Sequence, residues 1–173
     1  MIMPRGNDQL LLPVNPLFLW FSLVAALVFN MLPLGRIPAL PDMLALVLVF
    51  WNVHQPRRVG IGAAFFFGLL MDVHQGAVLG QHAEAYTLLS FLAITMHRRL
   101  LWFGLAEQAL QLLPVLIIAH AVSLVVRLLS SGSFPGWTML LAPLFEALLW
   151  PVVSWVLLAP QRRAPDRDEN RPL

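Results

Sequence analysis

The chain reads as an all-α, multi-pass membrane helix bundle of about six spans, and three observations predict it. Of its 173 residues, 59% are hydrophobic and only 12% are charged, with a mean hydropathy of +0.76. A soluble domain of ordinary composition is about a quarter charged. The apolar residues gather into long segments separated by proline, glycine and arginine, several near the ~20 residues that cross a bilayer as a helix. The arginines also sort to one side of the resulting topology, as worked out below.

The first sixteen residues, "MIMPRGNDQLLLPVNP", carry no small-residue cleavage site, so they read as a short tail entering a retained first helix. That helix spans 17–34 and ends at Pro33 and Gly35. The second spans 40–55: Pro41-Asp42 is a helix-start signal and Gln55-Pro56 an end. The third spans 59–73 and the fourth 78–96, parted by Gly76 and Gly80, which permit a tight turn. The second and third are short for a ~30 Å hydrocarbon core at 1.5 Å per residue. They read as broken or re-entrant, or as one interrupted hairpin, which leaves five spans as the fallback. The fifth spans 100–129 with a kink expected at Pro114, and the sixth 137–158. Residues 1–160 thus form one membrane domain, and the charged, proline-rich residues 161–173 a disordered tail.

With six spans and the N-terminus inside, nine of the eleven arginines (5, 57, 58, 98, 99, 162, 163, 167 and 171) face the cytoplasm, against Arg36 and Arg127 outside. The positive-inside rule then puts both termini in the cytoplasm. The pI near 10.4 does not point to nucleic acid, because the arginines are scattered between apolar segments instead of forming a basic face. The absence of cysteine excludes a disulfide framework and thiolate chemistry.

Gly60, Ala64, Gly68 and Asp72 lie four residues apart and share one helix stripe. Small residues at this spacing let a neighbouring helix approach closely in lipid. Phe65, Phe66 and Phe67 cover much of the remaining circumference, so Asp72 is directed into the bundle. A buried carboxylate needs partners. Depth along the spans puts Asp72, His74, His82, Glu84 and Arg127 in one outer layer, a possible polar pocket, and His120 with Glu146 at the midplane. Such groups are costly in a membrane and mark candidate sites. A structural network, a ligand or ion pocket and catalysis all remain open for them. His74 and His82, eight apart across a glycine break, match no familiar metal-ligand spacing, so no metal and no cofactor is expected. No nucleophile elbow, Walker loop, dinucleotide turn or His-Glu-x-x-His is present, and no catalytic residue is assigned. Glu107, Gln108 and Gln111 read as the interfacial start of span five, with Trp102 and Phe103 as interface anchors. Trp137, Trp150 and Trp155 read as bilayer or packing aromatics.

The stretch "FGLLMDVHQGAVLGQHA", following "PDMLALVLVFWNVHQPRRVGIGAAFF", resembles the rod shape-determining protein MreD family of bacteria. The matching elements are Pro41, Phe50-Trp51, Pro56-Arg57, Gly60, Gly68-Leu69-Leu70 with Asp72, Gly76, and Leu79-Gly80. This resemblance implies a non-enzymatic inner-membrane scaffold subunit of the rod-shape and peptidoglycan elongation complex. It implies the bitopic protein MreC as direct partner and, through it, MreB filaments, a RodA-type glycosyltransferase and a penicillin-binding transpeptidase. It also implies a fold similar to the S components of energy-coupling-factor transporters. The rival readings are a small-molecule-binding transporter subunit, using the outer polar layer, and an intramembrane enzyme, using His120 and Glu146.

Overall fold

The computed structural model describes residues 13–32, 40–132, 134 and 136–162. It is all-α: α1 (Pro16–Met31), α2 (Met43–His54), α3 (Gly60–Gln75), α4 (Gln81–Leu100), α5 (Leu105–Ser131) and α6 (Ala142–Leu158), with 3-10 turns at Trp137–Leu141 and Ala159–Gln161. The expected end of span one at Pro33 and Gly35, and the tail from 163 onward, lie outside the described residues.

Local chemistry sets the helix ends. Asn15 accepts from the Leu17 N–H and Pro16 occupies the first turn of α1, where a missing N–H costs nothing. Asp42 accepts from Ala45 N–H and opens α2. α3 runs two residues past its expected end and stops at Gly76, whose φ of 61° is left-handed. Gly80, φ 109°, opens α4, so the chain reverses over five residues through two positions that strongly favour glycine. α4 continues to Leu100, beyond the expected 96, so His97, Arg98 and Arg99 form its last turn, where cations complement the helix dipole. α5 stays helical through Pro114.

α2 sits at the centre. Residues 44–53 are all buried, and α2 packs against α1, α4 and α6. This explains how a 12-residue helix, about 18 Å long, reads as uniformly apolar: it has no outward face to mark a period. Phe50 and Trp51 are fully buried and meet edge-on at 5.0 Å, with Phe18 against Trp51 and Trp150 against Phe50. Contacts also run along the chain, α3 on α4, α4 on α5 and α5 on α6, and α1 touches α3.

Buried side-chain hydrogen bonds join the neighbours. Trp51 Nε1 donates to Ser22 Oγ at 2.8 Å, joining α2 to α1. Asn52 Nδ2 donates to Ser90 Oγ at 2.8 Å, joining α2 to α4. Gln81 Nε2 donates to Ser123 Oγ at 3.2 Å across α4 and α5, and Trp150 Nε1 to Gln108 Oε1 at 3.1 Å across α6 and α5. Gln108 is therefore an interior residue, not an interfacial one, because its amide is needed to satisfy the Trp150 indole. Trp102, Trp137 and Trp155 face outward, with the Arg162 guanidinium 5.8 Å from the Trp155 ring.

Among the described residues, two helices are long and apolar enough to cross a membrane, Leu105–Ser130 and Trp137–Gln161. The bond pattern fixes relative directions. α2 meets α6 first at Asp42–Glu146 and later at Phe50–Trp150, and meets α4 at Asp42–Tyr86 and then Asn52–Ser90. Those three helices run the same way. α1 meets α2 in the opposite order, through Ser22–Trp51 and Asn30–Asp42.

Candidate functional site

The stripe on α3 is a contact surface over part of its length. Ala64 and Asp72 are fully buried. At Gly68 a Cβ would stand 2.4 Å from Ala83 Cα and 2.6 Å from Ala83 N, so α4 lies directly on the glycine. Gly60 does not continue this surface. A Cβ there would meet nothing within 4 Å, and its φ of 54° marks it as the residue on which the chain turns into α3. Four-residue spacing cannot separate a packing glycine from a helix-start glycine. Phe65 and Phe66 point outward as expected, whereas Phe67 is buried on the packed side.

One turn beyond Gly68, Asp72 receives the start of α4. Its Oδ2 accepts from Gly80 N–H at 2.8 Å and from Ala83 N–H at 3.4 Å. Its Oδ1 accepts from His82 N–H at 2.7 Å and from His82 Nδ1 at 2.8 Å. The first N–H groups of a helix have no partner within the helix, and the positive end of its dipole complements an acidic group. A residue of α3 thus caps α4 from outside. The His82 ring in turn stands edge-on to Tyr86, 6.0 Å between centroids. The apolar run ends in a carboxylate because that carboxylate caps the start of the next helix.

The expected outer layer is assembled only in part. Asp72 and His82 meet. His74 and Glu84 are exposed, and Arg127 is half-buried near the end of α5. Asp72 draws all its side-chain partners among the described residues from positions 80, 82 and 83. Glu84 instead borders a groove of about 430 Å³ whose other lining residues are apolar. Within this set the bonds described join Asp72 to His82.

His120 and Glu146 pair, His120 Nε2 donating to Glu146 Oε1 at 2.8 Å, with Glu146 fully buried. Sequence reasoning places the two together but misses what they join. The same Glu146 oxygen accepts from Asp42 N–H at 2.9 Å. Asp42 Oδ1 accepts from Asn30 Nδ2 at 2.6 Å and from Ala45 N–H at 2.9 Å, and Asp42 Oδ2 from the Tyr86 hydroxyl. Asn30 Oδ1 accepts from Met43 N–H at 3.2 Å. This cluster therefore joins α1, α2, α4, α5 and α6 at the start of α2. The signal available in sequence is Pro41-Asp42, which marks a helix start and says nothing of the other helices. Glu146 Oε2 has no partner among the described residues. Groups of three or more His, Cys, Asp or Glu suited to a metal ion do not occur among the described residues.

Both clusters bond helices to one another, and the molecule they define is an all-α bundle with two membrane-length apolar helices and interior polar ties. The family model for the rod shape-determining protein MreD matches residues 9–158. The rod shape-determining protein MreD of Haemophilus influenzae is 30% identical over 149 residues, covering 80% of this chain and 88% of that protein. The chain belongs to the MreD family, and membership gives it a role in rod shape determination. No solved structure matches it.

Proposed function

We propose that the chain is a non-enzymatic scaffold of the peptidoglycan elongation complex in the bacterial inner membrane, docking an MreC-like bitopic protein and stabilising its assembly. MreB, a RodA-type glycosyltransferase and a penicillin-binding transpeptidase are reached through that partner. Residues 1–160 form one multi-pass domain, followed by a cytoplasmic tail, with a fold like that of transporter S components. The observation that carries this reading is the spending of polar groups on internal structure. Asp72 is used to cap α4 and Glu146 to bridge His120 and Asp42, which leaves a rigid frame for presenting helix faces.

The arginine arrangement supports the topology. The α2–α3 turn (Arg57, Arg58), the end of α4 (Arg98, Arg99) and the end of α6 (Arg162) share one end of the bundle, and Arg58 Nη1 donates to Val14 O at the start of α1. That end is the cytoplasmic one, and each arginine near an anionic lipid surface adds about 1 kcal/mol. The test is affinity purification from native membranes in mild detergent. Wall-elongation proteins are expected to co-purify with the wild-type chain and to be lost with Asp72→Ala, whereas Asp166→Ala keeps them. Recovery of ATP-hydrolysing transporter subunits instead overturns the scaffold reading.

A further inference from the structure

The cluster at the start of α2 lies deep in the molecule. His120 stands 15 and 10 residues from the ends of Leu105–Ser130, and Glu146 stands 9 and 15 residues from the ends of Trp137–Gln161. Both are therefore near the middle of the two membrane-length helices. Glu146 is fully buried, whereas the His120 side chain is 21% exposed. The bonded side chains are two acids (Asp42 and Glu146), the His120 imidazole, the Tyr86 phenol and the Asn30 amide.

The charges of these groups do not balance. With His120 carrying its full charge, two carboxylates still face one cation, and an excess charge buried away from water is costly. Around Glu146, α5 presents His120, α2 presents Asp42 and α4 presents Tyr86, while Asn30 of α1 is uncharged. Arg127 lies seven residues beyond His120 on α5, about 10 Å further along the helix. Behind Tyr86 stands the His82 ring, itself bonded to Asp72.

The oxygens locate the missing positive charge. Asp42 accepts from three donors spread over both of its oxygens, Asn30 Nδ2, Ala45 N–H and the Tyr86 hydroxyl, which suits an acceptor-only carboxylate. Glu146 takes both of its bonds, from Asp42 N–H and His120 Nε2, on Oε1. Its Oε2 is buried and has no partner among the described residues. A carboxyl O–H left alone there costs less than a charge left alone. With hydrogen on Oε2, Oε1 remains a carbonyl acceptor and keeps both bonds.

We propose that Glu146 Oε2 is a proton-binding site. At neutral pH it holds one proton taken from solvent, which leaves Asp42 the ionised acid, His120 the counter-charge and the five-helix junction neutral. The assignment is independent of the scaffold reading above.

Infrared spectra of the purified full chain in detergent at neutral pH report protonated carboxyl groups by a carbonyl stretch that carboxylates lack. The wild-type chain is expected to show this band. Glu146→Gln, with the shape of the neutral acid, is expected to lose it while remaining folded. His120→Gln leaves two acids without a base, so Asp42 takes a second proton and the band is expected to rise about twofold. Absence of the band in the wild-type chain overturns the proposal, as does a band that survives in Glu146→Gln. If Glu146→Gln does not fold, His120→Gln decides, and an unchanged band there overturns the proposal. A wild-type unfolding temperature that climbs with sodium at fixed pH, without the band, assigns the charge to an alkali cation and overturns the proton.

Discussion

Gly68 stands where α3 and α4 come nearest, and the space a methyl group would need is occupied by Ala83 backbone. Gly68→Ala is therefore expected to cost about 1–3 kcal/mol, the usual range for overpacking. Gly62→Ala, on the same helix with nothing within 4 Å of the added Cβ, is expected to be neutral or up to about 1 kcal/mol stabilising. Unfolding of the two variants in detergent checks the difference. At this scale the sequence exposes anomalies more readily than partners. Asp72 stands out because an acid at the end of an apolar helix demands an explanation, and depth along the spans brings His82 to it. The two closest backbone donors, Gly80 and His82 N–H, are invisible in a sequence because every residue type carries an N–H. Glu84 and Asp72 share a depth but not a direction, and depth alone does not separate them.

Helices in lipid do not associate by the hydrophobic effect, since acyl chains are as apolar as leucine; close packing and polar ties must hold them. α2 shows both. Its ten central residues are buried, and Trp51 joins packing to a hydrogen bond on Ser22. Trp51→Phe is expected to lose about 0.5–1.5 kcal/mol through that bond, and Trp51→Ala about 3–5 kcal/mol through the added cavity, measured by thermal unfolding in detergent. Helix existence is legible from apolar runs and from cues such as Pro41-Asp42 and Gly76. The central place of α2 is not, because a helix buried on every side has no periodic face and its shortness reads equally as a broken span. Nor are the ties through Ser22, Ser90 and Ser123, which sit in apolar runs as ordinary small residues.

Across the whole molecule, interior polar groups bind the helices together while Arg57, Arg58, Arg98, Arg99 and Arg162 gather at one end. The chain has no cysteine, so single introduced cysteines report sidedness without background. A cysteine at Arg57 or Arg98 is expected to be labelled only from the cytoplasm, and one at Ala77 only from outside; the reverse would invert the topology. The class and family are readable from composition and from residues 41–84, and the five-helix cluster at Asp42 is not, since its members are spread from residue 30 to residue 146. The carboxylate of Asp72 on α3 caps the start of α4. The most direct test is a double-mutant cycle of Asp72→Ala and His82→Ala, read as unfolding free energy in detergent. Asp72→Ala is expected to lose about 1–3 kcal/mol, more than His82→Ala because it also strands backbone N–H groups, with a coupling of about 0.5–3 kcal/mol between the two. Unchanged stability in Asp72→Ala, with no coupling, would contradict the account.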